Sequence, residues 1–397
     1  MKVLMVAREY PPYTVGGAGV HTSRLSKALQ NVGIEVQVIA FGNPSASSGF
    51  VKFVQPKSAI IARTAESPGR ELAVLYDIAR YRQIVTKFLA KNEFDIIHVQ
   101  EPYVGGFLKV KNKITTIHDT SYGELRSMTN NEIGLPEVRK TMFYLTTGFI
   151  AEYASLATSR AIITPAPNIT DELMSKYRLG ATKLVTIMNG VAENPYLSIS
   201  KDKAKRMLGI DPDRTLIFTS ARHVARKRLD VLIAAASLLQ KWGCLDKAEL
   251  RIGGDGPLKP SLTRLAEEFG LDEKVKFVGW TSDDELNLYL RASDIFVLCS
   301  DYEASPIAAL EAMASNTAVI STNILAYPVP SYTRDGVEIL TVPPRDRSAL
   351  ATAIRKLLMD REYRESIAMK GAQFAARYTW RNVAQKTIRV YEACLRE

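Results

Sequence analysis

The sequence predicts an α/β protein built from two doubly wound, Rossmann-like domains. Its 397 residues exceed the roughly 250–300 at which one hydrophobic core usually splits into two. Short apolar runs alternate with helical patterns along the chain, which is typical of parallel sheets covered by helices. A polar stretch at residues 194–202 interrupts this alternation and separates two similar halves.

The first half begins with a strand, a loop, a helix and a second strand. We assign these elements to residues 3–7, 16–19, 20–31 and 36–40. Further strands are predicted at 95–99, 114–118, 161–164 and 184–188, and helices at 76–91 and 140–155.

The second half repeats the same alternation of strands and helices. Its strands are predicted at residues 215–219, 249–253, 275–278, 294–298 and 318–321. We therefore place the first domain at residues 1–195 and the second at residues 196–378.

The charge and the composition of the chain limit the classes of protein to which it can belong. Lys and Arg outnumber Asp and Glu by 52 to 42, a formal charge of +10. This charge suits anionic partners such as nucleotide diphosphates, phospholipids or nucleic acid, and it suits a solvated basic surface equally well. The three cysteines and four histidines lack the spacing of a disulfide framework or a zinc site. With no signal-peptide core and no run of ~18 apolar residues, we expect a cytoplasmic protein.

A glycine-rich stretch lies between the first predicted strand and the first helix. Backbone N–H groups at a helix N-terminus attract phosphate, and glycine lets the backbone approach it closely. Gly16 and Gly17 are therefore candidate phosphate-binding residues. Because the stretch does not match G-x-G-x-x-G, a purely structural turn is the alternative.

A basic segment follows the first strand of the second half. Arg222 and Lys227 lie at the carboxyl edge of the predicted sheet, where ligands bind in open α/β folds. Arginine offers a planar fork and lysine a point charge, so together they can neutralise a diphosphate. A solvated basic loop explains the same spacing.

Two glutamates, separated by seven residues, follow a later strand of the second half. Pro306 favours the first turn of a helix, which places Glu303 before the helix and Glu311 inside it. A carboxylate among apolar residues needs a partner or a ligand hydroxyl. The two glutamates could hold two parts of one elongated ligand, or they could be a capping residue and a surface residue.

A polar pair, His118 and Asp119, ends a predicted strand of the first half. Side chains at the carboxyl end of a sheet strand are well placed to meet a ligand. A lone histidine is also a common structural residue, so both roles stay open.

These motifs, in this order, resemble glycosyltransferase family 4, whose members are retaining enzymes with the GT-B fold. In the first domain the resemblance rests on Tyr10-Pro11-Pro12, Gly16-Gly17, His21, His118-Asp119 and Asn189-Gly190-Val191. In the second domain it rests on Arg222, Lys227, the glycine-rich turn 253–257, Glu303 and Glu311. The family fold implies two domains that face each other across a cleft, with residues 379–397 crossing back to complete the first.

The resemblance implies roles in binding a nucleotide-diphosphate sugar. Arg222 and Lys227 would hold the diphosphate and stabilise its charge as the glycosidic bond breaks. The expected catalytic set consists of His118, which would contact the sugar near its anomeric centre, with Arg222, Lys227 and Glu303. The other donor contacts would come from Gly16 and Gly17 over the diphosphate, Ser305, Ile307 and Ala308 around the sugar and phosphate, Glu311 on the ribose, and Val278 and Trp280 beside the base.

The implied reaction moves a hexose to an acceptor hydroxyl and retains the anomeric configuration. The leaving phosphate would deprotonate the acceptor on the same face, so no carboxylate nucleophile is needed. Positive side chains would replace a divalent ion, and we expect neither a metal nor a cofactor; Asp283-Asp284 is predicted to start a helix. The donor would be UDP-, GDP- or ADP-linked, the acceptor a glycan, a lipid-linked glycan or a small molecule, and nucleic acid is not an expected partner.

Two departures from the family pattern fall in the donor region. Ala304-Ser305-Pro306 replaces the common glycine–phenylalanine–glycine, and Arg228 stands where glycine usually follows the lysine. These changes bear on the sugar and the backbone contacts around it, and they leave the reaction class unchanged.

Other functions compete with this interpretation. A glycoside hydrolase also needs two carboxylates, ~5–10 Å apart, but a basic clamp has no role in hydrolysis. A non-catalytic sugar-nucleotide-binding protein and a UDP-sugar epimerase of the same fold are the alternatives to a transferase.

One stretch of the first domain could contact anionic lipid at the inner face of the membrane. A helix-like apolar pattern follows Arg139-Lys140 and consists of Phe143, Leu145, Phe149 and Ile150. A core-facing stripe with basic flanks is the simpler explanation of the same pattern.

Overall fold

The structure is a computed structural model that describes residues 1–13, 16–55, 71–128, 141–324 and 330–396, with the backbone alone at 71–75, 104, 127 and 128. The chain divides into two compact units. Unit 1 comprises Met1–Gly190 with Trp380–Glu397, and unit 2 comprises Val191–Thr379. The predicted boundaries, after residues 195 and 378, lie five residues and one residue from these divisions.

Unit 1 contains a parallel sheet of short, buried strands. Its strands are β1 (Lys2–Val6), β2 (Glu35–Phe41), β3 (Val51–Val54), β4 (Ile96–Val99), β5 (Lys113–Thr116), β6 (Ala161–Thr164) and β7 (Leu184–Thr186). Their order across the sheet is β3-β2-β1-β4-β5-β6-β7, and each neighbouring pair is parallel. Because the strands are parallel, all their carboxyl ends lie at one edge.

Helices connect these strands, as expected for parallel pairing. They are α1 (Gly17–Asn31), α2 (Glu71–Leu89), α3 (Pro102–Gly105), α4 (Ser121–Met128), α5 (Phe149–Thr158) and α6 (Pro167–Tyr177). A π-helical turn, Tyr144–Gly148, leads directly into α5. The predicted loop at 16–19 is wrong, because Gly16 is the extended N-cap and the helix already starts at Gly17.

Unit 2 contains a second parallel sheet. Its strands are β8 (Thr215–Ser220), β9 (Ala248–Gly253), β10 (Val275–Gly279), β11 (Ile295–Leu298), β12 (Ala318–Thr322) and β13 (Leu340–Val342), in the order β10-β9-β8-β11-β12-β13. The helices are α7 (Lys201–Met207), α8 (Leu229–Lys241), α9 (Lys259–Glu268), α10 (Asp283–Ala292), α11 (Ile307–Ala314), α12 (Arg347–Met359) and α13 (Arg361–Ala375). Its core packs α8 against the central strands through side chains such as Leu232, Ile217 and Val297.

The last helix, α14 (Trp380–Arg396), belongs to unit 1 and packs against α1. Its Tyr391 hydroxyl lies 2.7 Å from Nδ1 of His98 on β4. The other ring nitrogen of His98 lies 2.8 Å from the Thr116 hydroxyl on β5. A buried polar chain therefore ties the C-terminal helix to the centre of the first sheet.

The two strands that the sequence pattern does not predict are β3 and β13. Both lie at the edge of their sheet and contain only four and three residues. Over the described ranges, no helix combines the length and the apolar character needed to cross a bilayer.

Candidate active site

In unit 2 the candidate residues begin where β8 ends. The loop from Ser220 to α8 carries Arg222 and Lys227, and both side chains are half-buried. This loop ends with a 3₁₀ turn, Ala225–Lys227, and helix α8 begins shortly afterwards at Leu229. Both cations therefore lie in a loop at the carboxyl edge of the second sheet, where open α/β sheets bind ligands.

The glycine-rich turn after β9 supports this loop. The His223 N–H donates to the Asp255 carbonyl at 2.9 Å. Gly254 has a φ of +104°, and a Cβ there would lie 2.0 Å from the Ala221 carbonyl oxygen. Only glycine permits this approach, which holds the backbone on both sides of Arg222.

Glu303 is buried in the loop between β11 and α11, with 7% of its surface exposed. Lys227 forms an ion pair with its carboxylate, and the Ser300 hydroxyl donates to the same oxygen at 2.7 Å. Burial alone would raise the pKa of Glu303, but Lys227 and Arg226 outweigh burial and hold that pKa below its ordinary range. Glu303 is therefore ionised at neutral pH.

Helix α11 begins shortly after Glu303, with Pro306 in an extended conformation as its N-cap. The N–H groups of Ile307 and Ala308 lie in the first turn, where a helix has no intrahelical acceptors and carries partial positive charge. Glu311 lies about one turn further along, with 6% of its surface exposed. The predicted helix start, and the positions of both glutamates relative to it, are confirmed.

An ion pair also stabilises the carboxyl edge of the second sheet, and no sequence motif predicts it. Arg345 donates from Nε and Nη2 to the two carboxylate oxygens of Asp301, at 2.9 and 2.6 Å. The Asp301 N–H donates to the Arg226 carbonyl at 2.9 Å. These contacts join the loop after β11 to the loop that carries Lys227. The ionic partners lie 44 residues apart, so no local pattern signals the pair.

The residues assigned to the base lie at the end of β10. Val278 belongs to the strand and is half-buried, whereas Trp280 follows the strand and is 67% exposed. The Gly254 N–H donates to the Gly279 carbonyl at 2.7 Å, which joins this strand end to the glycine-rich turn. The exposed indole offers a flat face for stacking.

In unit 1, His118 lies just beyond β5, which ends at Thr116 instead of continuing to residue 118 as predicted. The His118 and His21 ring centroids are 4.6 Å apart in an edge-to-face arrangement. Nδ1 of His21 lies 2.8 Å from Oδ1 of Asn189. The Trp380 ring also packs against His21, at 5.4 Å. Residues from four separate motifs therefore meet here.

The His118 ring is uncharged at neutral pH. Burial, followed by the influence of His21, His98 and Arg8, lowers the pKa of His118 well below its ordinary value. Within the described part of the chain, its buried Nε2 has no hydrogen-bond partner. This nitrogen is therefore available to a ligand hydroxyl.

The N-terminus of α1 binds a side chain of the protein itself. The Gly16 N–H donates to Oε2 of Glu9 at 2.8 Å. The other oxygen of Glu9 accepts from Arg8 Nη2 at 2.7 Å, and Arg8 Nε lies 3.1 Å from the Glu101 carboxylate. In this structure a carboxylate thus contacts the N–H group that the resemblance assigns to the donor diphosphate. No sequence motif singles out Glu9 or Glu101.

Buried carboxylates also hold the loop that follows β5. The Ser121 N–H donates to Glu152 at 3.0 Å, and the Thr120 hydroxyl donates to Glu172. Burial raises the pKa of Glu152, and burial together with Glu152 raises the pKa of Glu172 to about 7. The carboxyl edge of unit 1 is therefore rich in buried acids.

The stretch considered for lipid contact forms a helix with an exposed apolar face. The expectation of a core-facing stripe is wrong for Leu145 and Ile150, which are 59% and 61% exposed. Phe143 and Phe149 are half-buried. Exposed Met142 and Tyr153 extend the apolar face. Arg139 and Lys140 lie outside the described residues.

Acidic residues elsewhere have structural roles. Asp283 and Asp284 begin α10, as predicted, and Ser282 with Glu285 forms a capping box there. Among the side chains that the structure describes, no group of three or more His, Cys, Asp or Glu residues is arranged to hold a metal ion.

Sequence comparison relates the chain to known proteins. Residues 15–194 match the family described as Glycosyltransferase Family 4, and residues 200–374 match the family described as Glycosyl transferases group 1. An uncharacterized glycosyltransferase of Methanocaldococcus jannaschii is 27% identical over 100% of this chain and 99% of its own length.

Two solved structures resemble this chain along almost their whole length. Sucrose-phosphate synthase from Thermosynechococcus elongatus has a TM-score of 0.77 at 20% identity, with 99% of both chains covered. Anabaena HepE in complex with UDP-glucose has a TM-score of 0.72 at 16% identity, with 99% of this chain and 100% of that chain covered. The prediction of an α/β, GT-B fold is confirmed.

Proposed function

We propose that this chain, which belongs to glycosyltransferase family 4, is a retaining hexosyltransferase that uses a nucleotide-diphosphate sugar. The acceptor would be a hydroxyl of a glycan, a lipid-linked glycan or a small molecule. The observation that carries the proposal is the ion pair between half-buried Lys227 and buried Glu303 at the carboxyl edge of the second sheet. Because desolvation offsets much of the attraction within such a pair, its net contribution to stability is small, and an anionic ligand can replace the carboxylate as the partner of the lysine.

The exchange would take place as the donor binds. Lys227 would leave the Glu303 carboxylate for the donor diphosphate, and Arg222 would add a bidentate contact. The released Glu303 would then accept hydrogen bonds from the sugar hydroxyls. The first N–H groups of α11, at Ile307 and Ala308 beside Ser305, would add positive charge near the phosphate.

The remaining donor contacts follow from the positions of the other candidates. Glu311, one turn inside α11, would accept hydrogen bonds from the ribose hydroxyls. Trp280 would stack on the base beside Val278, because its indole is exposed at the strand end. Gly16 and Gly17 would offer N–H groups to the diphosphate, after Glu9 releases the Gly16 N–H. UDP-hexoses are the first donors to test, since HepE, which shares the fold, was solved with UDP-glucose.

The chemical step would be a front-side displacement at the anomeric carbon. The bond from that carbon to the leaving phosphate oxygen breaks, and a bond to the acceptor oxygen forms on the same face. The acceptor proton moves to the leaving diphosphate, whose charge Arg222 and Lys227 stabilise. His118 would contact the sugar near the anomeric carbon through its neutral ring. With these cations on the diphosphate, the reaction would proceed without a divalent metal.

A screen of nucleotide sugars tests this function. Release of UDP, GDP or ADP would be followed with and without EDTA, in wild type, Lys227→Ala and Lys276→Ala. Lys276 is the matched control, because its ammonium lies 3.5 Å from Glu273 in an exposed pair. We expect release from one donor, unchanged by EDTA, lost in Lys227→Ala and kept in the control. Binding of a donor without turnover would favour a sugar-nucleotide-binding protein, and turnover without an acceptor to a new sugar nucleotide would favour an epimerase.

We also infer peripheral contact of unit 1 with anionic lipid. The exposed apolar face of Met142, Leu145, Ile150 and Tyr153 supports this inference, as does the formal charge of +10. Binding to anionic vesicles should be weak and should fall between low and high salt. Ile150→Glu should reduce it, and Leu197→Glu, at an exposed leucine of unit 2, should not. Vesicle binding that changes neither with salt concentration nor in the Ile150→Glu variant would contradict the inference.

A further inference from the structure

A hydrogen bond joins two motifs that lie 168 residues apart in the chain. Nδ1 of His21, on α1, lies 2.8 Å from Oδ1 of Asn189, and both residues are buried. An amide oxygen can only accept a hydrogen bond, so His21 must donate from Nδ1. The bond therefore selects the tautomer of His21 that carries its proton on Nδ1 and a lone pair on Nε2.

The surroundings hold this pair in place. A Cβ at Gly190 would lie 2.8 Å from the backbone nitrogen of Trp380, so glycine lets the start of α14 approach the segment that carries Asn189. The Trp380 ring packs edge-to-face on His21, at 5.4 Å. The His118 ring also packs on His21, at 4.6 Å. The imidazole of His21 is thus held by one hydrogen bond and two rings.

The pair is also uncharged. Burial lowers the pKa of His21 to about 4, although the hydrogen bond that His21 donates to Asn189 acts in the opposite direction. Among the described residues, Asn189, Trp380 and His118 contact the His21 ring, and none of these three carries a charge at neutral pH. The nearby charged or titratable groups that act on His118 or His21 are His98 and Arg8. A carboxylate at position 189 would instead favour an imidazolium at His21.

We propose that Asn189 and His21 are positioning residues that orient the His118 ring and keep an uncharged imidazole beside it during transfer. The proposal rests on the proposed function, in which His118 contacts the sugar near its anomeric carbon. An oxocarbenium-like transition state carries positive charge, so a second positive charge one ring away would oppose its formation. An asparagine at position 189 orients His21 as an aspartate would, but without stabilising the charged ring.

Asn189→Asp tests the charge directly. We expect kcat to fall about 10-fold to 100-fold at pH 6.5 and to recover as His21 loses its proton toward pH 9. The KM for the donor should stay unchanged, because the donor residues of unit 2 are untouched. Asn189→Ala should lower kcat equally at every pH, since it removes the orienting bond without adding charge.

Asn43→Asp is the matched control. Asn43 is exposed, and its side chain caps a short 3₁₀ turn by accepting the Ser45 N–H at 3.1 Å, a contact that aspartate keeps. This variant should show the wild-type rate and pH profile. If Asn189→Asp does the same, the positioning proposal is overturned.

A second measurement does not depend on activity. The chain has four histidines. Long-range ¹H–¹⁵N spectra, assigned with single variants, can therefore report the tautomer and the charge of each imidazole ring. We expect His21 to be neutral and protonated on Nδ1 from pH 6 to 9. A His21 ring that is protonated on Nε2, or charged at pH 7, overturns the proposal. Wild-type protein with the expected spectra but no hexose transfer would instead remove the proposed function and leave the His21–Asn189 arrangement intact.

Discussion

The carboxyl edges of the two sheets hold buried glutamates in opposite electrostatic settings. In unit 2, Lys227 and Arg226 outweigh burial and keep Glu303 ionised. In unit 1, the effect of burial is larger than that of the neighbouring cation. Burial raises the pKa of Glu101 to about 7 although Arg8 lowers it, and the pKa of Glu172 also rises to about 7. The same strand–helix architecture therefore builds two different sites, because the loops at the strand ends supply different charges.

This difference assigns different ligands to the two edges. The cations and the α11 N-terminus of unit 2 favour a diphosphate. The neutral histidines and the partly protonated acids of unit 1 favour hydroxyl groups, which can both donate and accept hydrogen bonds. The following changes test this contrast.

The largest effect is expected from Glu303→Gln. Transfer should fall by about 10²-fold, because the sugar loses an ionised acceptor. Binding of the nucleoside diphosphate alone should strengthen by about threefold to tenfold, because Lys227 no longer has to leave a carboxylate. Steady-state kinetics and calorimetry measure the two effects, which have opposite signs.

The control for that variant is Glu365→Gln. Glu365 pairs with Arg361 at 2.7 Å, but both side chains are exposed. Neither transfer nor nucleotide binding should change. If Glu303→Gln weakens nucleotide binding as well, the idea of an exchangeable ion pair is wrong.

Gly254→Ala should destabilise the loop that carries Arg222. A Cβ would clash with the Ala221 carbonyl oxygen at 2.0 Å, and the φ of +104° suits only glycine. We expect the free energy of unfolding to fall by about 1–3 kcal/mol and the donor KM to rise. Urea unfolding measures the first effect. Gly49→Ala, which meets no atom within 4 Å, is the control and should stay within about 0.5 kcal/mol of wild type.

Glu172→Gln should stabilise unit 1 in a pH-dependent way. The folded pKa of about 7 lies above the ordinary glutamate value of 4.5, so the unfolded chain loses its proton first and wild-type stability falls as pH rises between these values. Glutamine avoids this loss and can still accept from Thr120. The gain should be small at pH 5, reach on the order of 1–3 kcal/mol near pH 7 and stay level above. Thermal unfolding across pH measures it, and a gain that shrinks as pH rises would contradict the assignment.

Arg228→Gly should have the smallest effect. Arg228 has a φ of +50°, which explains why the family pattern has glycine at this position. Glycine relieves the strained backbone but loses the 2.7 Å contact with Asp230 and is more flexible when unfolded. We expect stability to change by less than about 1 kcal/mol and donor KM by less than about threefold. A larger loss of donor binding would give Arg228 a direct role at the diphosphate.

Several parts of the molecule could be predicted from local sequence. The central strands stand out because both of their faces are buried, which produces continuous apolar runs such as residues 215–219. Pro306 marks the start of α11 because proline suits the first turn of a helix, and this placed Glu303 and Glu311 correctly. The membership in family 4 followed from the order of several motifs.

Contacts between distant segments could not be predicted in this way. The Lys227–Glu303 pair spans 76 residues and the His21–Asn189 bond spans 168. The contact between Glu9 and Gly16 is closer in the chain, but it depends on a turn whose shape the sequence does not reveal. The Lys227–Glu303 and His21–Asn189 pairs form because parallel strands bring their carboxyl ends to one edge, and that order of strands is a property of the whole unit.

The most direct test of the central claim is the configuration of the first product. Proton NMR would follow wild-type protein with the donor that the screen identifies, before the released or transferred sugar can mutarotate. An α-linked donor should give an α-configured product first, at the wild-type rate in Lys276→Ala and not at all in Lys227→Ala. A β-configured first product would contradict the retaining mechanism, and equal rates in Lys227→Ala would contradict the role of the Lys227–Glu303 pair.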